Sequence, residues 1–96
     1  MTTPQPSVRA RIFVKGLVQG VAFRAFTADV AKHLSLKGGV QNLDDGRVLV
    51  EVEGEKKNIE SLLESLRVGP PHAHVEGLEV EWGDPLGQWS DFQIWY

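Results

Sequence analysis

The segment Lys15-Gly-Leu-Val-Gln-Gly-Val-Ala-Phe-Arg24 has the residue types and spacing to hold an anion. Gly16 and Gly20 let the backbone curl so that successive N–H groups face inward as a nest. A helical pattern begins at Phe23, so the helix adds its N-terminal N–H groups and the positive end of its dipole at the same place. Arg24, in the first turn, supplies a planar, permanently charged fork that matches two oxygens of a phosphoryl group. The spacing Gly16-x-x-x-Gly20 is neither a dinucleotide fingerprint nor a Walker loop, whose Lys-Ser/Thr ending is missing. A grip on phosphate is the chemistry on offer. An ordinary strand-to-helix loop with a surface arginine has the same composition.

Asn42 is the second residue of interest. It stands two positions after Val40 and just ahead of the turn residues Asp44-Asp45-Gly46. If Val40 faces the helices, strand alternation puts Asn42 on the same face. A carboxamide there needs a partner, because burying it unpaired costs ~1–3 kcal/mol. A strand-end asparagine bonding the turn backbone or facing water fits the same pattern. Other candidates offer less. His72 and His74 follow Pro70-Pro71 and read as a solvated connection, with a metal pair as the remote alternative, and His33 sits beside Lys32 on an exposed helix face. Asp44 and Asp45 read as turn formers, and Glu51 and Glu53 as one solvated strand face. No serine or threonine lies in a Gly-x-Ser-x-Gly elbow. Trp82, Trp89 and Trp95 lack interleaved Lys or Arg, so packing explains them better than base stacking.

The elements that must position these residues follow from periodicity. Residues 1–7, rich in proline and threonine, read as a disordered leader, and 8–96 as one domain. Val8, Ala10, Ile12 and Val14 alternate with Arg9, Arg11, Phe13 and Lys15, which predicts a half-buried strand ending at the Gly16–Gly20 loop. Phe23, Phe26, Val30, Ala31 and Leu34 form one helical stripe. Gly38-Gly39 reset the chain, and a second strand starting at Val40 runs into a hairpin turn at Asp44-Asp45-Gly46. Val48, Val50 and Val52 mark the return strand. Ile59, Leu62, Leu63 and Leu66 mark a second helix, stopped by Gly69-Pro70-Pro71. Strand character returns over Val75–Trp82 and Phe92–Tyr96. This order predicts an α+β fold of the ferredoxin-like, split βαβ kind, with an antiparallel sheet and two helices packed on one face. Such a fold hosts many functions and does not choose among them.

Composition narrows the classes. A chain of 96 residues fits one domain, and no run approaches the ~18–20 apolar residues of a membrane span. The N-terminus lacks the regions of a signal peptide. Without cysteine there is no disulfide, no thiolate nucleophile and no sulfur-ligated zinc. A cytoplasmic protein is the resulting expectation. A net charge of -3 and a pI near 5.5 argue against nucleic acid as a partner.

From Val8 to Tyr96 the sequence resembles the acylphosphatase family. The carrying residues are Gly16-Leu-Val-Gln-Gly-Val-Ala-Phe-Arg24, Gly38-Gly-Val-Gln-Asn42, Gly46, Gly54, Gly69-Pro70 and the terminal Phe92-Gln-Ile94-Trp-Tyr96. The resemblance implies hydrolysis of the carboxyl–phosphate bond of a small acyl phosphate, without metal or cofactor; a monomer is the separate expectation. The resemblance further implies that Arg24 binds the phosphate and Asn42 orients the attacking water. The backbone of Gln19, Gly20, Val21, Ala22, Phe23 and Arg24 would cradle the phosphoryl oxygens. One departure stands out. The family often carries an aromatic residue where this chain has Gly39, which implies less packing near Asn42 and a looser amide. The alternative function is a non-catalytic phosphate-sensing or interaction module of the same fold. An RNA-binding reading fails on the central strand, Arg47-Val-Leu-Val-Glu-Val-Glu53, which has no stacking aromatics.

Overall fold

The computed structural model describes residues 6–96; most of the expected leader, residues 1–5, lies outside the described residues. Seven elements follow in the predicted order: β1 (Ser7–Leu17), α1 (Phe23–His33), β2 (Lys37–Asn42), β3 (Val48–Glu55), α2 (Lys56–Val68), β4 (His74–Gly83) and β5 (Phe92–Ile94). The sheet order is β4-β1-β3-β2-β5. Both repeats of strand, helix and strand are present, and the fold is ferredoxin-like α+β. The first four strands pair antiparallel, while the short β5 joins the edge parallel to β2. The sheet is therefore mixed, a detail that alternation within one strand cannot reveal.

Period-2 patterning sends Ala10, Ile12, Val14, Val48, Val50 and Val52 to the helix side, where all are fully buried. They meet Phe23 and Ala31 of α1 and Ile59, Leu62 and Leu66 of α2. Thr27 also lies in this layer, fully buried, because its hydroxyl donates to the Phe23 carbonyl one turn back at 2.8 Å. The opposite face is charged. Arg9 and Arg11 approach Glu51, and the guanidinium groups of Arg11 and Arg47 flank the Phe13 ring at 5.4 and 4.7 Å.

Three local expectations change. Strand β1 continues through Gly16 to Leu17, past a register shift at Lys15/Gly16, so the loop proper is shorter. Gly38 and Gly39 lie inside β2 and do not precede it. A Cβ on Gly38 would strike the Glu51 carbonyl of β3, and one on Gly39 would enter the indole of Trp95. Here the two glycines mark close approaches from opposite sides. Glu53, expected to be solvated, is 7% exposed. The connection from β4 to β5 must pass from one sheet edge to the other, and Glu53 fastens it: its carboxylate accepts the Leu86 N–H at 2.6 Å and the Gly87 N–H at 3.1 Å. The tryptophans separate accordingly. Trp82 is on edge strand β4 under the Lys56 ammonium, whereas Trp89 and Trp95 pair at 5.8 Å beside β5 on the other edge.

Candidate active site

The segment between β1 and α1 turns on two left-handed residues, Gly20 (φ 76°) and Ala22 (φ 63°). For glycine that conformation is ordinary; for alanine it is strained, and strain of this kind gathers at functional sites. Ala22 is the N-cap of α1, and no side chain caps the helix there. The first turn contains no acidic residue. The N-terminal amides of α1 thus keep their positive potential without internal competition, which is what an anion requires.

These residues line a cleft of about 200 Å³, walled by Val18, Gly20, Ala22, Phe23, Arg24, Ala25, Asn42, Ile94 and Tyr96. Arg24 and Asn42 meet there although they belong to different elements. Arg24 reaches it because it occupies the second position of α1. Asn42 reaches it because, at the end of β2, it shares the helix face with the fully buried Val40.

The surroundings of Arg24 are tied to the C-terminus. Its Nη1 donates to the Trp95 carbonyl at 3.3 Å, and its guanidinium carbon sits 4.9 Å from the centroid of the Tyr96 ring. A guanidinium has five N–H donors, so one such bond fixes the fork and leaves most of them available. Among the described residues no carboxylate forms an ion pair with Arg24. Asn42 is in a different state: its Oδ1 is buried and, among the described residues, accepts no hydrogen bond. The space beside Gly39 is occupied. The indole of Trp95 takes the space that a side chain at position 39 would fill, so aromatic packing on β2 comes from the residue that follows the neighbouring strand β5.

Gln19 and Val21 do not line the cleft. Val21 packs against the core. The Gln19 amide donates to the Leu43 carbonyl at 2.8 Å and the Arg47 carbonyl at 3.0 Å, which clamps the loop onto the β2–β3 hairpin directly after Asn42. The hairpin itself closes through Leu43 N–H to Arg47 O and Gly46 N–H to Leu43 O. Hydrogen bonds from the Arg47 side chain and then its backbone N–H hold the Asp45 carboxyl below its ordinary range. Gln19→Ala, which deletes two hydrogen bonds each worth ~0.5–1.5 kcal/mol, is expected to lower the urea midpoint and to reduce kcat severalfold. Wild-type values of both would show that the clamp carries nothing.

Sequence reasoning did not find Val18, Ala25, Ile94 and Tyr96 in the cleft. The alternation Phe92, Ile94, Tyr96 was available as a signal, but nothing local says which strand β5 joins. Among the described residues no His, Asp, Glu, Lys or Cys lines the cleft. Among the described residues, no group of three or more potential metal ligands is assembled anywhere. His72 and His74 are both exposed, and His74 begins β4 opposite Leu17. No helix of the described residues is long and apolar enough to cross a membrane.

The acylphosphatase family model matches residues 10–94. An acylphosphatase of Anaeromyxobacter dehalogenans is 54% identical over 87 residues, covering 91% of this chain and 94% of that one. An acylphosphatase of Pyrobaculum calidifontis is 50% identical over 88 residues, covering 91% and 80%. The crystal structure of acylphosphatase from Bacillus subtilis superposes with a TM-score of 0.90 at 37% identity, covering 93% of this chain and 99% of that one. The chain belongs to the acylphosphatase family.

Proposed function

We propose that, in the hydrolysis of acyl phosphates that characterises this family, Arg24 and the loop amides hold the phosphoryl group while Asn42 orients the attacking water. An acyl phosphate is a mixed anhydride whose departing carboxylate needs little help from an acid. Phosphoryl transfer passes through a loose transition state in most analyses, so positioning and charge stabilisation supply most of the catalysis. The unneutralised Arg24 fork and the uncapped amides of α1 would meet the charge on the equatorial oxygens. The amide of Asn42 is no base near neutral pH. The water's proton would pass to a phosphate oxygen of the substrate as the new P–O bond forms. The old P–O bond breaks, leaving a carboxylate and inorganic phosphate.

The observation that carries this division of labour is that Asn42, whose Oδ1 has no hydrogen-bond partner among the described residues, lines one small cleft with Arg24. A buried acceptor without a protein partner is costly to keep. Accepting a hydrogen bond from the attacking water would relieve it and would leave that water's lone pair free to face the phosphorus. The cleft, at about 200 Å³, has room for a phosphoryl group and a small acyl portion.

Phosphate release from a synthetic acyl phosphate, with and without excess EDTA, tests the proposal. Turnover is expected in both, because the cleft offers no carboxylate or imidazole to a divalent ion. Inorganic phosphate should inhibit competitively, since the product would occupy the substrate's loop. Phosphate binding without turnover would instead support a sensor module. Activity lost to chelator and restored by a divalent ion would bring His72 and His74 back as ligands.

A further inference from the structure

Gly39 has ordinary backbone dihedrals, so its lack of a side chain serves space and not conformation. The space is taken by Trp95: a Cβ built on Gly39 would overlap Cδ2, Cε2 and Cζ2 of the indole. The ring therefore lies against the bare backbone of β2, on the face opposite Val40 and Asn42, and its other side meets Trp89. The same residue is fixed at two further points. Its N–H donates to the Val40 carbonyl at 2.7 Å, and its own carbonyl accepts from Arg24 at 3.3 Å.

One residue thus grips β2 from behind, pairs with it at the edge, and presents an acceptor to the guanidinium in front. Strand β5, which Trp95 directly follows, spans only Phe92–Ile94 at the edge of the sheet. So short a strand needs an anchor if it is to hold a carbonyl within the ~0.5 Å that a functional constellation tolerates. We infer that Trp95 is a positioning residue for Arg24, and that Gly39 is the socket through which its indole acts. The inference rests on Arg24 holding the phosphoryl group. Trp95 touches no substrate. It sets where the Arg24 fork sits relative to Asn42, and so couples two residues carried on different elements.

The test compares Trp95→Ala, Trp95→Phe, Gly39→Ala and the double Gly39→Ala/Trp95→Ala variant with the wild type. The readouts are inhibition by inorganic phosphate, KM and kcat on one acyl phosphate, and the melting temperature. Trp95→Ala should raise KM and the phosphate inhibition constant together, by about tenfold, with a smaller fall in kcat, because the displaced group is the one that binds phosphate. Gly39→Ala should do the same with Trp95 still present, because a methyl group at position 39 evicts the ring. Trp95→Phe keeps a flat ring in the socket and should recover most of the affinity. The double variant should be no worse than either single one, since both changes remove one contact. A lowered melting temperature with unchanged phosphate inhibition would reduce Trp95 to a packing residue and overturn the inference. Arg24→Lys separates the two levels. If it weakens phosphate while the Trp95 and Gly39 variants do not, the inference alone fails. If it leaves phosphate inhibition unchanged, the assigned role of Arg24 fails and the inference falls with it.

Discussion

Arg24→Lys should lower kcat/KM by at least ~10² while the folded structure survives. The charge is retained, so the loss isolates geometry. A lysine ammonium is a compact point charge on a flexible stem, whereas the guanidinium addresses two oxygens at once. Losing one preorganised donor at a transition state typically costs ~10²–10³ in rate. The structure adds a second reason. Arg24 is steadied by the Trp95 carbonyl and the Tyr96 ring, and an ammonium cannot meet both and still present a fork. Steady-state kinetics and a melting curve on the same preparation decide the matter. Wild-type efficiency in the lysine variant would remove Arg24 from the chemistry.

Asn42→Ala should divide catalysis from binding. We expect kcat to fall by ~10²–10³, with the phosphate inhibition constant nearly unchanged, because Asn42 addresses the water and not the phosphoryl group. Stability should move the other way. Asn42 Oδ1 is a buried acceptor with no hydrogen bond among the described residues, and removing such a group relieves a penalty of ~1–3 kcal/mol. A variant that melts at or above the wild-type temperature yet turns over poorly is the signature of a residue kept for function. A rise in the phosphate constant matching the fall in kcat would make Asn42 a ligand-binding element instead. The wild-type rate should also be flat between about pH 5 and 8, as no imidazole or carboxylate side chain of the described residues lines the cleft. A limb near ~6.5 would expose an unrecognised histidine base.

What could be read from the sequence was what local physics dictates. Alternation along Val8–Val14 and Val48–Val52, the helical stripe from Phe23 and the Asp44-Asp45-Gly46 turn are short-range signals, and they produced the right elements in the right order. The loop ending at Arg24 was legible because glycine spacing and a helix start are also local. Glu53 shows where such reasoning stops. Its polar type and outward parity indicated water, but a chain segment more than thirty residues away brings two amide N–H groups to it. Gly38-Gly39 shows the same limit from the other side. A glycine pair reads as a break unless the neighbours that crowd it are known, and here they are Glu51 and Trp95. The C-terminal contribution to the cleft was hidden for a related reason, since the choice of a parallel seat beside β2 is made by tertiary packing.

Strand β4 is the sheet's long outer edge, His74–Gly83, and among the described residues one side of its backbone has no neighbouring strand. An edge of that length is a template on which another chain could add a strand. Glu76, Glu79 and Glu81 stand exposed along it. Two such edges brought together would oppose carboxylates with carboxylates, which disfavours pairing at neutral pH. Protection against strand-to-strand self-assembly in this domain is thus written in the charge of one strand.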